Sequence, residues 1–194
     1  MKKISGRYRD AAELRDLGIG SAGDDILVHE SAILVDVEHI HLGSNVRIDP
    51  FSILSAAGGF IRLGSYVHIA AHSDIFGGKG VTMEDFSGLS QGVRVYSVSD
   101  DYSGNSLTNP TVPRKYVRTK AGEVRLGRHV IVGSGSVILP GVSIGDGSSV
   151  GALSLVRKSL RPWGIYAGSP VKRIGSRSQA LLEDETRLLK CRSA

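Results

Sequence analysis

Apolar residues recur at intervals of six across the second half of this chain: Leu126, Val132, Ile138, Ile144, Val150 and Val156. A fixed period of that length is the mark of stacked repeats in which each strand is short and each corner sharp. Four residues after each of them stand Val130, Ser136, Val142, Ser148, Ser154 and Leu160, mostly small or β-branched. Gly127, Gly133, Gly145 and Gly151 follow directly on four of the apolar positions, which places tight backbone turns beside the strands. The chain's 25 glycines in 194 residues suit a fold built of corners.

The same spacing runs backwards in blocks: Val28, Leu34, Ile40; Leu42, Ile48, Leu54; Leu63, Ile69, Ile75; and Met83, Leu89, Val95. Each block makes one triangular coil of three strands with its aliphatic residues stacked inside, so the expected architecture is a β-solenoid. Coil starts at Leu42, Leu63, Met83 and Leu126 lie 21, 20 and 43 residues apart, so extra residues bulge at the corners. The largest excess, residues 98–124, is too long and polar to be a repeat and is assigned as an active-site loop, because long loops on rigid scaffolds carry function.

Three regions follow: an N-terminal helical segment at 1–25, the solenoid at 26–175, and a C-terminal helix at 176–194. Leu181, Leu182, Leu188 and Leu189 form a one-sided helical stripe behind a capping Ser178, and such ends cap a solenoid or pack on a neighbour. The basic start Met1–Arg9 lacks the apolar stretch of a signal peptide, and no run is long enough to span a bilayer, which predicts a cytoplasmic protein without stable membrane insertion. A single cysteine, Cys191, excludes a disulfide framework and a cysteine-based zinc site. The net charge of +5 admits phosphorylated partners, but dispersed basic residues without interleaved aromatics argue against nucleic acid. His39-Ile40-His41 places two imidazoles on one strand face but without a carboxylate pair nearby, so no metal site is assigned.

These repeats resemble the hexapeptide-repeat acyltransferases, above all the galactoside and maltose acetyltransferases and the polysaccharide O-acetyltransferases. The stretch Tyr166-Ala167-Gly168-Ser169-Pro170-Val171-Lys172-Arg173 is similar to that family's tail motif. The resemblance covers about residues 26–175 and implies an all-β, left-handed parallel β-helix with short terminal helices, assembled as a homotrimer. It implies acetyl-CoA as cosubstrate. Ser134 and Ala152 match small residues lining the pantetheine channel, Lys158 matches a lysine near the nucleotide phosphates, and Lys172 and Arg173 stand where basic groups can meet phosphate.

Acyl transfer from a thioester needs a base for the acceptor's proton and donors for the oxyanion. In the family the base is a histidine at the start of the long loop, and Asp100 occupies that position here. An aspartate of ordinary pKa, ~4, is a poor base for a hydroxyl. Three repairs stand open: a raised carboxyl pKa, another histidine, of which His72 is the best placed, or an amine acceptor. Asp101, Tyr102, Asn105 and Asn109 supply the planar polar groups and the ring that a carbohydrate acceptor uses. The first expectation is an O-acetyltransferase of a surface-polysaccharide sugar. The alternatives are an N-acetyltransferase on a nucleotide-linked amino sugar, which the missing histidine favours, and a non-catalytic β-helical scaffold.

Overall fold

The computed structural model describes residues 6–192. Met1–Ser5, which begin the basic start, and the last two residues of the C-terminal segment lie outside the described residues. The chain forms a parallel β-solenoid of about seven turns, its strands going in rotation to three walls. Wall one comprises Leu27–His29, Arg47–Ile48, His68–Ile69, Gly88–Leu89, Ile131–Val132, Ser149–Val150 and Gly164–Ala167. Wall two comprises Ile33–Val35, Ile53–Ser55, Asp74–Phe76, Arg94–Tyr96, Val137–Ile138 and Leu155–Val156. Ser21–Ala22, Ile40–Leu42, Ile61–Leu63, Val81–Met83, Val124–Leu126 and Ser143–Ile144 form wall three.

The strand register turns the sequence period into columns. Val28, Ile48, Ile69, Leu89, Val132 and Val150 lie in line on wall one. On wall two the column is Leu34, Leu54, Ile75, Val95, Ile138 and Val156. All of these except half-buried Leu34 are at most 3% exposed, and burying each aliphatic side chain contributes roughly 2 kcal/mol before entropy is counted. Three corner serines, Ser136, Ser148 and Ser154, are wholly or almost wholly buried as well. Each satisfies its hydroxyl on a backbone carbonyl, that of Gly151, Arg161 and Ala152 respectively, which is why a polar residue is tolerated there.

The register differs from the sequence blocks in one place. Ile40 does not close the first coil on its own wall, but shares the strand Ile40–Leu42 with Leu42, and both side chains point inward. Residues 36–39 fill the corner with a short 3-10 turn, Val37–His39, so His39 and His41 do not share one strand face. Among the described residues no group of three or more His, Cys, Asp or Glu could hold a metal ion.

The ends are more mixed than a pair of helices. Tyr8–Arg9 is a strand, antiparallel to Leu27–His29, and the helix proper is Ala11–Asp16, opened by an Asp10/Glu13 capping box. The C-terminal helix is Leu181–Arg192, with Leu181 and Leu182 half-buried and Leu188 and Leu189 exposed. It is tied down instead by Glu185, whose carboxylate pairs with Arg128 and accepts from His129 Nε2 at 2.8 Å. Among the described residues no helix is long and apolar enough to cross a membrane.

Candidate functional site

The residues singled out from the sequence divide between two corners of the prism. The first corner joins walls one and two. Phe51, His72, Gly92, Gly135 and Leu153 follow one another up it, each with positive φ, and the N–H of each from His72 to Leu153 bonds a carbonyl of the coil before. Ser134 and Ala152 sit beside Gly135 and Leu153, one coil apart; Ser134 is half-buried and Ala152 exposed. Gly133 is needed there, because a Cβ would press to within 2.5 Å of the Ala152 nitrogen. The tail turn lands on the same corner: the amide of Gly168 (φ 105°) donates to Ser154 Oγ, and Leu155 N donates to the Gly168 carbonyl.

His72 occupies this corner as an exposed residue, its ring stacked on Phe51 at 5.2 Å and its carbonyl accepting from the Arg94 guanidinium. Phe51, itself 60% exposed, has a single-residue signal that the hexad pattern does not reveal. Lys172 and Arg173 lie on the edge strand Lys172–Ser176, antiparallel to Gly164–Ala167, and are exposed; Arg173 donates to Ser176 Oγ.

The second corner joins walls two and three and carries the long insertion. Its base is not irregular: Val98–Asp100 and Thr119–Ala121 pair as an antiparallel ribbon, and the amide of Gly122 returns to the Ser97 carbonyl. Asp100 is half-buried opposite Thr119, and its carboxylate accepts from the Asn109 amide at 3.4 Å. Asp101 is buried and spends both oxygens on Ser103, whose hydroxyl and amide hold the carboxyl below its ordinary pKa. Asn105 donates to Ser103 Oγ, and Asn109 accepts from the amide and hydroxyl of Thr111. These bonds stiffen the tip of the hairpin. Tyr102 projects from it, 90% exposed. Lys158 is exposed two coils further on at this second corner, not with Ser134 and Ala152. Within one chain, therefore, Asp100 and Lys158 stand apart from His72, Ser134, Ala152 and the tail turn.

Wall one carries a feature that the sequence did not announce. An open cleft of about 450 Å³ runs across it from Ser90 and Gln91 at the first corner to Tyr66, Phe86, His129 and Arg177 at the opposite corner. Tyr66 stacks on Phe86 at 4.6 Å, and Phe86 stacks on His129 at 5.0 Å. Arg177 Nη1 donates to the carbonyls of His129 and Gly147, and burial pushes its pKa down. Among the described residues no carboxylate pairs with it. His68 lines the cleft too, with Nε2 2.8 Å from Asp49 Oδ2. Burial raises the Asp49 carboxyl, but bonds from His68, Arg47 and Tyr8 outweigh it and hold the pKa below its ordinary value.

Four likenesses bear on this geometry. The family described as "Bacterial transferase hexapeptide (six repeats)" matches residues 123–158. A dTDP-4-amino-4,6-dideoxy-D-glucose acyltransferase of Escherichia coli is 39% identical over 179 residues, 92% of this chain and 93% of that protein. A serine-to-cysteine variant of AntD, an N-acyltransferase from Bacillus cereus, solved with dTDP-4-amino-4,6-dideoxyglucose and coenzyme A, superposes with a TM-score of 0.92 at 42% identity, covering 95% of this chain and 98% of that one. AntD has also been solved with dTDP and 3-hydroxybutyryl-CoA, and as variants at one serine and at one aspartate ten residues later in its own numbering. A maltose O-acetyltransferase from Clostridium difficile, at 20% identity and a TM-score of 0.56, shares the fold alone.

Proposed function

This chain belongs to the hexapeptide-repeat acyltransferases, and we propose that it moves a short acyl group from coenzyme A to the amino group of a nucleotide-linked 4-amino-4,6-dideoxy sugar. The observation that carries this reading is the likeness, over nine-tenths of both chains, to an acyltransferase of such a sugar. It favours the amino-sugar alternative over O-acetylation of a surface polysaccharide. The chemistry agrees with the residue at the family's histidine position. An amine with a pKa of ~8 keeps about a tenth of its molecules neutral at pH 7, and that form attacks a thioester carbonyl without a strong base and passes its proton to the departing thiolate or to water. A hydroxyl has no such route, and Asp100 is a weak base for it.

Asp100 then orients the amine through a charge-assisted hydrogen bond. The spacing of the varied pair in AntD supports this: Ser90 and Asp100 are ten residues apart here, and Ser136–Asp146, the other serine–aspartate pair at that distance, has its serine wholly buried. Coenzyme A fits the first corner, where small Ser134 and Ala152 leave room for a slender chain and the Gly168 turn stands near Lys172 and Arg173. Because Ser90 and Asp100 occupy different corners of one chain, the complete site requires a second copy to bring its hairpin to the first corner. Outward-facing Ile33, Val35, Ile53, Phe76, Tyr96 and Val137 give wall two an apolar surface suited to that contact, which supports a homotrimer.

The test is thiol release from acetyl-CoA and 3-hydroxybutyryl-CoA with dTDP-4-amino-4,6-dideoxyglucose, set against hydroxyl sugars. Turnover restricted to the amino sugar is expected. Turnover with hydroxyl sugars alone, or with none, sinks the reading.

A further inference from the structure

Gly88 is an outward-facing residue in the middle of wall one, in register with His68 below it and Ile131 above. Most glycines of this chain are forced by the backbone, but this one is not. Its φ lies outside the left-handed region, and a Cβ added to it would meet nothing nearer than the His68 carbonyl oxygen at 3.5 Å, an ordinary contact. An alanine there would fit the strand and stabilise it by about 0.5–1 kcal/mol. One use of a glycine at such a strand position is to let a ligand or another backbone approach closely. What its missing side chain leaves open is the floor of the 450 Å³ cleft.

The walls of that cleft say what the group is. Arg177 is a half-buried guanidinium bonded only to carbonyls, so its charge is left for an anion. Phe86 and Tyr66 add aromatic surface beside it, and the opposite end opens at Ser90 on the first corner. A cation, an aromatic wall and a volume within the usual range of about 300–1,000 Å³ match a nucleoside diphosphate. We propose that the cleft over Gly88 seats the nucleoside diphosphate of the acceptor, with the diphosphate at Arg177 and the sugar led toward Ser90. The proposal rests on the amino-sugar reading and adds to it a specificity site built on wall one. Coenzyme A also contains a nucleoside diphosphate, but its candidate positions, Ser134, Ala152 and the tail turn, lie on later coils.

Calorimetric titration of the full chain with dTDP and, separately, with coenzyme A tests this on wild type, Gly88→Val and Gly88→Ala, each checked for a cooperative melt. Expected are dTDP binding at least ten-fold weaker in Gly88→Val, an intermediate loss in Gly88→Ala, and coenzyme A affinity within two-fold of wild type. Unchanged dTDP affinity in both variants overturns the subsite while leaving the amino-sugar reading intact. Weakened coenzyme A with unchanged dTDP assigns the cleft to the cosubstrate and also overturns it. A wild type that binds no dTDP overturns both.

Discussion

Replacing Ser136 with alanine removes one oxygen from the solenoid and leaves two backbone groups without their partner. Ser136 is wholly buried; its hydroxyl donates to the Gly151 carbonyl at 3.0 Å and accepts from the Ser154 amide at 3.1 Å. The Gly151 carbonyl is only part-buried and recovers water, so its loss counts little. The Ser154 amide, on a residue 2% exposed, recovers nothing. An unsatisfied buried donor costs about 1–3 kcal/mol, so the expected loss is about 2 kcal/mol. For a chain of this size each kcal/mol lowers the melting temperature by about 2–4 °C, which predicts a fall of about 4–8 °C. The assay is scanning calorimetry of Ser136→Ala at a fixed protein concentration, beside Ser99→Ala, whose half-buried hydroxyl makes only a 3.3 Å contact within the hairpin. Ser99→Ala should melt with the wild type. A Ser136→Ala protein that also melts within about 1 °C of wild type would falsify the claim that corner serines hold successive coils together.

Asp100→Asn should lower kcat with the amino sugar by about 10- to 100-fold, the worth of one charge-assisted hydrogen bond, and leave KM for acyl-CoA unchanged; a loss of about 10³- to 10⁴-fold in a steady-state assay would instead make Asp100 the base. Asp49 has a folded pKa below its ordinary value, so the stability it adds is present above about pH 4 and disappears as pH falls through the lower folded value. Asp49→Asn should therefore melt lower than wild type at pH 7, with the gap closing toward pH 3; a gap independent of pH refutes the linkage. Glu185→Ala removes both pairs that fasten the C-terminal helix, so limited trypsin digestion followed by mass spectrometry should cut faster at Arg187. Equal cutting rates would mean that the helix is held by something else.

The columns were legible in the sequence because a wall position is set by counting: residues one coil apart must stack, and Val150 over Val132 or Val156 over Ile138 follows from spacing alone. Counting fails where a corner changes length. Ile40 and Leu42 satisfied two different blocks, and only the 3-10 turn at Val37–His39 reveals that they share a strand. The length of the 98–124 insertion was visible, but its ribbon was not, since Val98-Ser99-Asp100 and Thr119-Lys120-Ala121 carry no apolar alternation. Asp101 had the composition of a sugar ligand, yet its oxygens are occupied by Ser103, a local bond that residue type alone does not disclose. The cleft was hidden for a different reason. Tyr66, Gly88, His129 and Arg177 come from four separate stretches, and Gly88 looks like any other glycine of the repeat until the space around its missing Cβ is known.

The period that makes the fold readable also explains why the candidate residues stand at different corners of one chain. A residue's corner is decided by its distance along the coil, and a coil here takes about twenty residues, as the 21 and 20 between coil starts record. Ser90 and Asp100, ten residues apart, are thus about half a coil from each other, and the rigid walls between them prevent any single chain from closing that separation. The three-fold arrangement proposed above would set the second corner of one copy against the first corner of the next. The insertion leaves at the second corner, from which it would reach a neighbour in that proposed arrangement, and its internal bonds at Asp101, Asn105 and Asn109 stiffen its tip. On this reasoning an aspartate can replace the family's histidine without loss of the site's architecture, because the corner and the hairpin position the group, while the acceptor's own amine relaxes the demand on its basicity.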